Sequence, residues 1–450
     1  MESKVPSETA SVRDLEGSGE KHETSTSHRY EDPFGDEEFA AVRYRTMAWW
    51  QCGIIMAAMT VGLGILSLPS VAATVGLAPA VILIVGLGLI ATYTGYVLGQ
   101  FRLAYPHVHN MADAGEVLIG RFGRELFGNA QLIVLIFVMG SHILTFSIMM
   151  NTLTDHGACT IIFNIVGMAL MFLGNLPRTL KNVSWLSIGS FIGIFSAVLV
   201  TMITIAIQHP WRGEIKPTNN TSFYQGFVAV TDIVFAYAGH VNFFSFISEM
   251  KDPKEYPKTL YLLQSIDIVY YVVATVVIYY YGGQNVASPA LGSLGPLMSK
   301  VAYGIAIPEI VIGGVINGHV ASKYVYVRLF RGTNHMHQRN LLSLGSWVLI
   351  TFSLWVIAWV IAEGIPVFNP LLGLVTSLFA SWFTYGLCGV FWFFLNKGRW
   401  FSSPKYIFLS VVNILIFCLG ACLCGLGLYS SGKAIHDNKR IVSFSCASNA

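Results

Sequence analysis

"VGLGILSLPS", residues 61–70, places Gly62, Gly64 and Pro69 inside the first long apolar stretch of the chain. In a helix interior each Gly costs about 1 kcal/mol relative to Ala, and a Pro about 3. An apolar run with three such residues reads as a helix with a break, and the rest of the chain says what kind of helix. Of 450 residues, 54% are hydrophobic and 11% charged, against about 25% charged in an ordinary soluble domain. The apolar residues gather into segments of about 20 or more, the length that crosses roughly 30 Å of hydrocarbon. Eleven run approximately from 47 to 73, 77 to 101, 127 to 150, 160 to 174, 184 to 208, 223 to 248, 260 to 282, 301 to 327, 341 to 362, 370 to 395 and 406 to 429. The fourth is short, so ten is the competing count. The alternating segments of about ten residues that build a transmembrane barrel are absent. The chain reads as an all-α integral membrane protein.

Its charge is informative in distribution rather than in sum, which is +3. Between consecutive spans, one set of alternate loops carries fifteen Lys and Arg residues, among them Arg121, Arg124, Lys251, Lys254 and Arg328, and the other only Arg212, Lys216 and Lys300. The positive-inside rule makes the first set cytoplasmic, which puts the N-terminus inside and, with eleven spans, the C-terminus outside. Residues 1–46 are rich in Ser, Thr and Glu and read as a disordered cytosolic tail; so long a polar lead argues against a signal peptide. Residues 47–429 read as one eleven-helix domain, and 430–450 as an extracellular tail. The plasma membrane is the expected location.

Transporters are commonly built from inverted repeats whose first helices are both broken near the midplane. With spans one to five and six to ten as halves, span six is the partner of span one, and its centre reads Phe235-Ala236-Tyr237-Ala238-Gly239-His240. Two interruptions thus stand in corresponding positions of an inverted five-plus-five repeat followed by one extra helix. Unwinding frees backbone groups that protein, water or ligand must satisfy. N–H groups around Gly62, Gly64 and Ile65 suit a carboxylate, and C=O groups around Phe235 and Ala236 suit an ammonium group. Together they describe a zwitterionic amino acid, with Leu66 and Tyr237 among the apolar and aromatic neighbours. Glycines in membrane helices also serve close helix packing, and that reading stays open beside the binding one.

A charge at the centre of a span costs about 2.5–3.5 kcal/mol on insertion scales, so each ionisable group there is a functional candidate. Asp232, His240, Asp267 and Glu309 are the proton-coupling candidates, and His142 a substrate contact. Asn317 and Ser322 are candidates for a cation site. For each, hydrogen bonding within the helix bundle is the competing reading. Cys159 and Cys446 both face outward in the topology, where an oxidising exterior allows them to pair. The sequons at Asn219 and Asn220 fall on the same side. The other cysteines have no metal-ligand spacing, so neither metal nor cofactor is expected. There is no phosphate-cradling loop of an ATP-driven pump, no arginine-rich voltage sensor or carbonyl filter, no enzyme signature and no sign of a nucleic-acid partner.

The stretch "MTVGLGILSLPSVAATVGLAPAVILIVGLGLIATYTGYVLGQ", residues 59–100, resembles the first two helices of the amino acid/auxin permease family. "FVAVTDIVFAYAGHVNFFSFISEMKDPKEYPKTL" and "GPLMSKVAYGIAIPEIVIGGVINGHVASKYVYVRLF" are similar to its sixth to eighth helices, and "WVIAEGIPVFNPLLGL" to its ninth-to-tenth connection. The resemblance spans about residues 45 to 430 and is nearest to fungal neutral and aromatic amino-acid permeases of the methyltryptophan-resistance type. It implies an eleven-helix fold and import of neutral, large aliphatic or aromatic, amino acids. Drive by a cation is implied too, usually a proton in fungi. Substrate-binding breaks carry over to Gly62, Gly64 and Ile65 and to Phe235, Tyr237 and Gly239. Sodium symport, and an amino-acid sensor that signals through its tail, are the alternatives.

Overall fold

The computed structural model describes residues 47–177, 183–211, 213–330, 341–437 and 442–449. The expected tail, 1–46, lies outside them, as do Arg178, Lys181, Arg212, Arg331 and Arg339 of the loops. In chain order the helices are α1 (Trp49–Gly64), α2 (Leu68–Val75), α3 (Leu77–Ala104), α4 (Met111–Thr154), α5 (Thr160–Gly174), α6 (Val183–Gln208) and α7 (Phe223–Ala236). They continue as α8 (Phe243–Glu249), α9 (Tyr256–Gly282), α10 (Pro296–Phe330), α11 (Leu341–Gly364), α12 (Phe368–Val375), α13 (Leu387–Leu395) and α14 (Pro404–Asp437). A π-helical stretch, Thr376–Gly386, joins α12 to α13.

Nine helical stretches among the described residues are long and apolar enough to cross a bilayer, and the bent pair α1 and α2, which meet at 49°, makes a tenth. The expected fourth span, α5, has 15 residues. At 1.5 Å per residue that is about 22 Å, short of the hydrocarbon thickness, so among the described residues length alone counts ten spans and leaves α5 as the short eleventh. The two interrupted helices of the repeat are both present. α1 leaves helical geometry at Gly62 (φ −11°, ψ −114°). α7 ends at Ala236, and a 3₁₀ turn, Ala238–Asn242, leads into α8.

Packing arranges the helices around those breaks. α1 and α2 lie against α9, α2 also against α7, and α10 runs along α4 and α6, while α14 covers the π-helical stretch. Pro69 falls in the first turn of α2, where a missing N–H costs nothing and a fixed φ favours helix initiation. It therefore starts the second half-helix rather than bending the first.

Two boundaries differ from the sequence reading. Much of the expected loop 102–126 is helical: Asn110 caps α4 by accepting the Asp113 N–H at 2.9 Å, and Asp113 Oδ2 accepts the His109 N–H at 3.0 Å. Such a cap satisfies first-turn donors that have no partner within the helix. α14 continues to Asp437, past the expected end at 429. The segment 442–449, expected as a tail that Cys159 and Cys446 could tie down, is packed. Cys446 is disulfide-bonded to Cys159, the Phe444 N–H donates to the Glu363 carbonyl oxygen at 3.2 Å, and Asn449 Nδ2 donates to Ser147 Oγ at 2.9 Å. This strap ties the adjoining ends of α4, α5 and α11 together.

α4 bends at Ile119 and Gly120, and Gly120 has φ 68°, ψ −152°, a region that only glycine occupies at ease. Nothing lies within 4 Å of the place where its Cβ would stand, so substitution there acts on backbone strain alone. Gly120→Ala is expected to cost about 1–3 kcal/mol, seen as a lower melting temperature of the detergent-solubilised protein. An unchanged melting temperature would show that the bend relaxes freely.

Candidate functional site

The first break is shaped by what its glycines leave room for. A Cβ on Gly64 would stand 2.6 Å from Ala236 Cα, so this glycine is the point where the two interrupted helices cross backbone to backbone. A Cβ on Gly62 would stand 2.5 Å from Glu309 Oε1, so the Glu309 carboxyl group occupies the side-chain space that Gly62 lacks. Glu309 lies on α10, only 3% exposed, and the Ser190 hydroxyl on α6 donates to its other oxygen. The expectation that the Ile65 N–H is free for a ligand does not hold in this conformation. It donates to the Val61 carbonyl oxygen at 3.2 Å, and the Leu66 and Ser67 N–H groups donate to Leu63 and Gly64. The broken segment re-forms a tight turn that consumes its own donors. Ile65 and Leu66 pack in the buried core instead.

At the second break, the Ala236 carbonyl expected to meet an ammonium group is also taken. The Tyr271 hydroxyl on α9 lies 2.8 Å from the Ala236 oxygen and 3.0 Å from the Thr60 oxygen, sharing one hydrogen between the ends of both interrupted helices. Tyr237 turns away from the break, and its hydroxyl donates to the Ile84 carbonyl at 3.0 Å. His240 is fully buried against α3, with Nε2 3.0 Å from the Ala91 oxygen and 3.1 Å from Thr94 Oγ1. Its Nδ1 lies 3.3 Å from the Tyr237 oxygen. Those bonds describe an imidazole built into the helix packing. Gly239 is again a contact point, since a Cβ there would stand 2.6 Å from the Thr60 methyl carbon.

Between the two breaks lies one cavity. Of the residues singled out in the sequence, Gly64, His142, Phe235, Gly239, Glu309 and Asn317 line it. Gly62, Ile65, Leu66, Ala236, Tyr237, His240, Asp232, Asp267 and Ser322 do not. Among the described lining residues Glu309 is the single Asp, Glu, Lys or Arg, and His142 the one histidine. His142 Nδ1 donates to the Ile310 carbonyl oxygen at 3.0 Å, which aims its other ring edge at Gly313, where Glu309 Oε1 also arrives. An acid and an imidazole thus meet at the wall of a mainly apolar chamber. Asn317 donates to the Gly313 carbonyl of its own helix at 2.8 Å. Ser322 is fully buried away from the cavity, so the structure does not bring Asn317 and Ser322 together on one ligand.

The other candidates are distributed as follows. Asp232 is 1% exposed and its Oδ1 has no hydrogen-bond partner among the described residues. Asp267 sits behind α1, with Oδ2 2.9 Å from Thr60 Oγ1. Asn219 is held inside its loop by bonds from Nδ2 to the Ala73 carbonyl at 3.0 Å and to Gln284 Oε1 at 3.2 Å, whereas Asn220 is exposed. Only the second sequon presents a free amide.

Five polar contributors escaped the sequence reading: Thr60, Ser187, Ser190 and Asn242, which line the cavity, and Tyr271, which bridges the breaks. A signal existed for two of them. Ser187 and Ser190 are three apart on α6, hence on one helix face. Tyr271 is one of several tyrosines in its span, and nothing in the pattern separates it from the rest.

A helical bundle with two interrupted helices crossing at a buried, mostly apolar cavity is a multi-pass membrane transporter. The architecture is shared with MHP1, a nucleobase-cation-symport-1 family transporter solved closed with bromovinylhydantoin bound. The match has a TM-score of 0.54 and 12% identity, covering 90% of this chain and 97% of that one; at that identity the likeness speaks for the fold alone. Residues 45–432 match the family model described as transmembrane amino acid transporter protein, and the chain belongs to that family. Among its relatives, the N amino acid transport system protein of Neurospora crassa is 37% identical over 421 residues, 90% of this chain and 89% of that protein. A transmembrane transporter of Gibberella moniliformis is 30% identical over 427 residues, 92% of this chain and 90% of that protein.

The two glycines of the first break separate in their tolerance. Gly64→Ala meets the Ala236 backbone, which has nowhere to go, while Gly62→Ala meets the end of a side chain. Overpacking costs about 1–3 kcal/mol, so Gly64→Ala is expected to lower the melting temperature and abolish uptake. Gly62→Ala should be milder, and Glu309→Asp in the same chain should partly restore it by withdrawing the carboxyl group. Equal effects of the two glycine variants would contradict the assignment of separate contacts.

Proposed function

We propose that this protein imports neutral L-amino acids, of the large aliphatic or aromatic kind, by proton symport with alternating access. The observation that carries this reading is the cavity's charge inventory. A zwitterion brings one ammonium group, and Glu309 offers one carboxylate to receive it. A basic side chain would need a second carboxylate, and an acidic one a cation. The ammonium group is assigned to Glu309 in place of the Ala236 carbonyl. Leu63, Phe235, Phe243 and Val138 supply apolar wall for the side chain. The relative from Neurospora crassa, named for N amino acid transport, supports an amino acid as the substrate.

Alternating access in this reading is the rocking of the broken helices against α4 and α10 around a fixed central site. The excess of Lys and Arg in one set of loops supports a cytosolic N-terminus. The strap at 442–449, with its disulfide, fits an extracellular C-terminus at the plasma membrane.

Uptake of labelled amino acids into proteoliposomes, under an imposed pH or sodium gradient, tests the proposal. Accumulation of neutral amino acids on the pH gradient alone is the expected result. Accumulation on sodium alone would transfer the coupling to that ion, and binding without uptake would favour a sensor. Glu309→Gln removes a charge-assisted hydrogen bond worth about 1.5–3 kcal/mol, so KM for neutral substrates is expected to rise roughly 10- to 100-fold. An unchanged KM would take Glu309 out of the ammonium site.

A further inference from the structure

Asp267 is a carboxylic acid at the centre of α9, 0% exposed, and its Oδ1 has no hydrogen-bond partner among the described residues. Its Oδ2 lies 2.9 Å from Thr60 Oγ1, and the same hydroxyl lies 3.1 Å from the Met56 carbonyl oxygen and 3.3 Å from that of Ala57. One hydroxyl hydrogen faces three acceptors. If Asp267 is ionised, Thr60 turns its hydrogen to Oδ2, the helix carbonyls lose it, and Oδ1 is left as bare anionic oxygen in an apolar interior. If Asp267 is protonated, its O–H donates to Thr60 Oγ1 and Thr60 donates to Met56, and only a neutral carbonyl oxygen remains without a donor. Buried charge without partners is the more costly arrangement, so this packing selects the neutral acid.

Among the described residues the surroundings offer no counter-charge. α1, α2 and α6, all packed against α9, contain no Asp, Glu, His, Lys or Arg. On α3 the one such residue is Arg102. Gly99 lies against Tyr256 and Gly88 against Ile268, so the helices are antiparallel. Arg102 is then about 20 Å along the axis from the level of Asp267. On α9 itself the other charged residue is Lys258, a first-turn residue paired with Glu255. Tyr237 from the second break and Tyr271 of α9 itself face Asp267 with hydroxyls already committed to carbonyl oxygens, and His240 is bonded to α3. Glu309 is on the far side of α1, over Gly62.

We infer that Asp267 holds the proton that is carried with the amino acid, and that the Thr60 hydroxyl connects it to the cavity. This deepens the symport reading and rests on it. Thr60 lines the cavity, and its methyl group is wedged against Gly239 at the second break. A proton arriving from cavity water binds Thr60 Oγ1 as the hydroxyl's own hydrogen passes to Asp267 Oδ2. Release on the other side of the membrane runs the same transfer in reverse, so one proton enters and one leaves with no change of oxidation state. The occluded packing of α1 on α9 forms only around the neutral acid, which makes closure over substrate depend on the proton.

The test uses the full-length protein in proteoliposomes. Asp267→Asn mimics the protonated acid, because its amide donates to Thr60 where the carboxyl O–H did. It is expected to exchange labelled for unlabelled amino acid within about twofold of the unmodified protein, while its pH-gradient-driven accumulation ratio falls to about one. Continued pH-driven accumulation by Asp267→Asn would overturn the inference. Folding is read from the rise in melting temperature on adding substrate. If Asp267→Asn does not fold, Thr60→Val keeps the methyl contact and removes the hydroxyl: loss of proton drive supports the inference, and retained drive overturns it. A failure of the unmodified protein to use a pH gradient removes the symport reading itself, which separates that failure from one confined to Asp267.

Discussion

The structure depends on one close approach, Gly64 against the Ala236 backbone. Two interrupted helices can share a cavity only if their ends meet, and they meet where neither side chain intervenes. Tyr271 then fixes the pair by giving one hydroxyl to the Thr60 and Ala236 carbonyls together. In hydrocarbon, unpaired carbonyls at a helix end cost several kcal/mol each; here a third helix satisfies them. α9 is therefore a bracket that holds the breaks in register. It carries two of the polar side chains that reach them, Tyr271 and, one turn away, Asp267.

The same environment explains why so few charges appear and where they stand. Glu309 is tolerated because Ser190 donates to it and Gly62 yields it space, and it faces the cavity where a cationic group can arrive. Asp267 has neither a cation nor a second donor, and its one bond leads through Thr60 to the cavity wall. His240 has both ring nitrogens within reach of carbonyl oxygens, of Ala91 on α3 and of Tyr237 at the second break, which fixes the ring in the helix packing. Burial alone does not distinguish these residues. Their partners, and the side of α1 on which each lies, do.

Much of the architecture was legible because lipid imposes length and periodicity on sequence. The apolar segments, the break at Gly62 and Gly64, and its counterpart around Gly239 are all visible as composition against a 20-residue rule. The purpose of the glycines was less visible. Read along the chain, they suggested exposed N–H groups. In three dimensions the Ile65 donor is consumed by a turn, and the glycines are the surfaces on which Ala236 and the Glu309 carboxyl group rest. Packing and binding are here not alternatives, because the close packing is what places the cavity. The span count had a similar limit, since α5 falls between a crossing helix and a short one and hydropathy cannot decide it. The contribution of Tyr271 depends on a contact between residues 211 and 35 positions apart in sequence, which no local pattern encodes.

The central claim is that the amino acid occupies the cavity where the two interrupted helices cross. Ala238 lines that cavity and belongs to the turn that follows the second break, and its small side chain makes a cysteine there a mild change. The direct measurement is the rate at which a thiol reagent labels the protein carrying Ala238→Cys, with and without amino acids. Neutral amino acids should slow labelling at concentrations near their KM for uptake, while lysine and glutamate should leave it unchanged. A labelling rate indifferent to every transported amino acid would contradict the account.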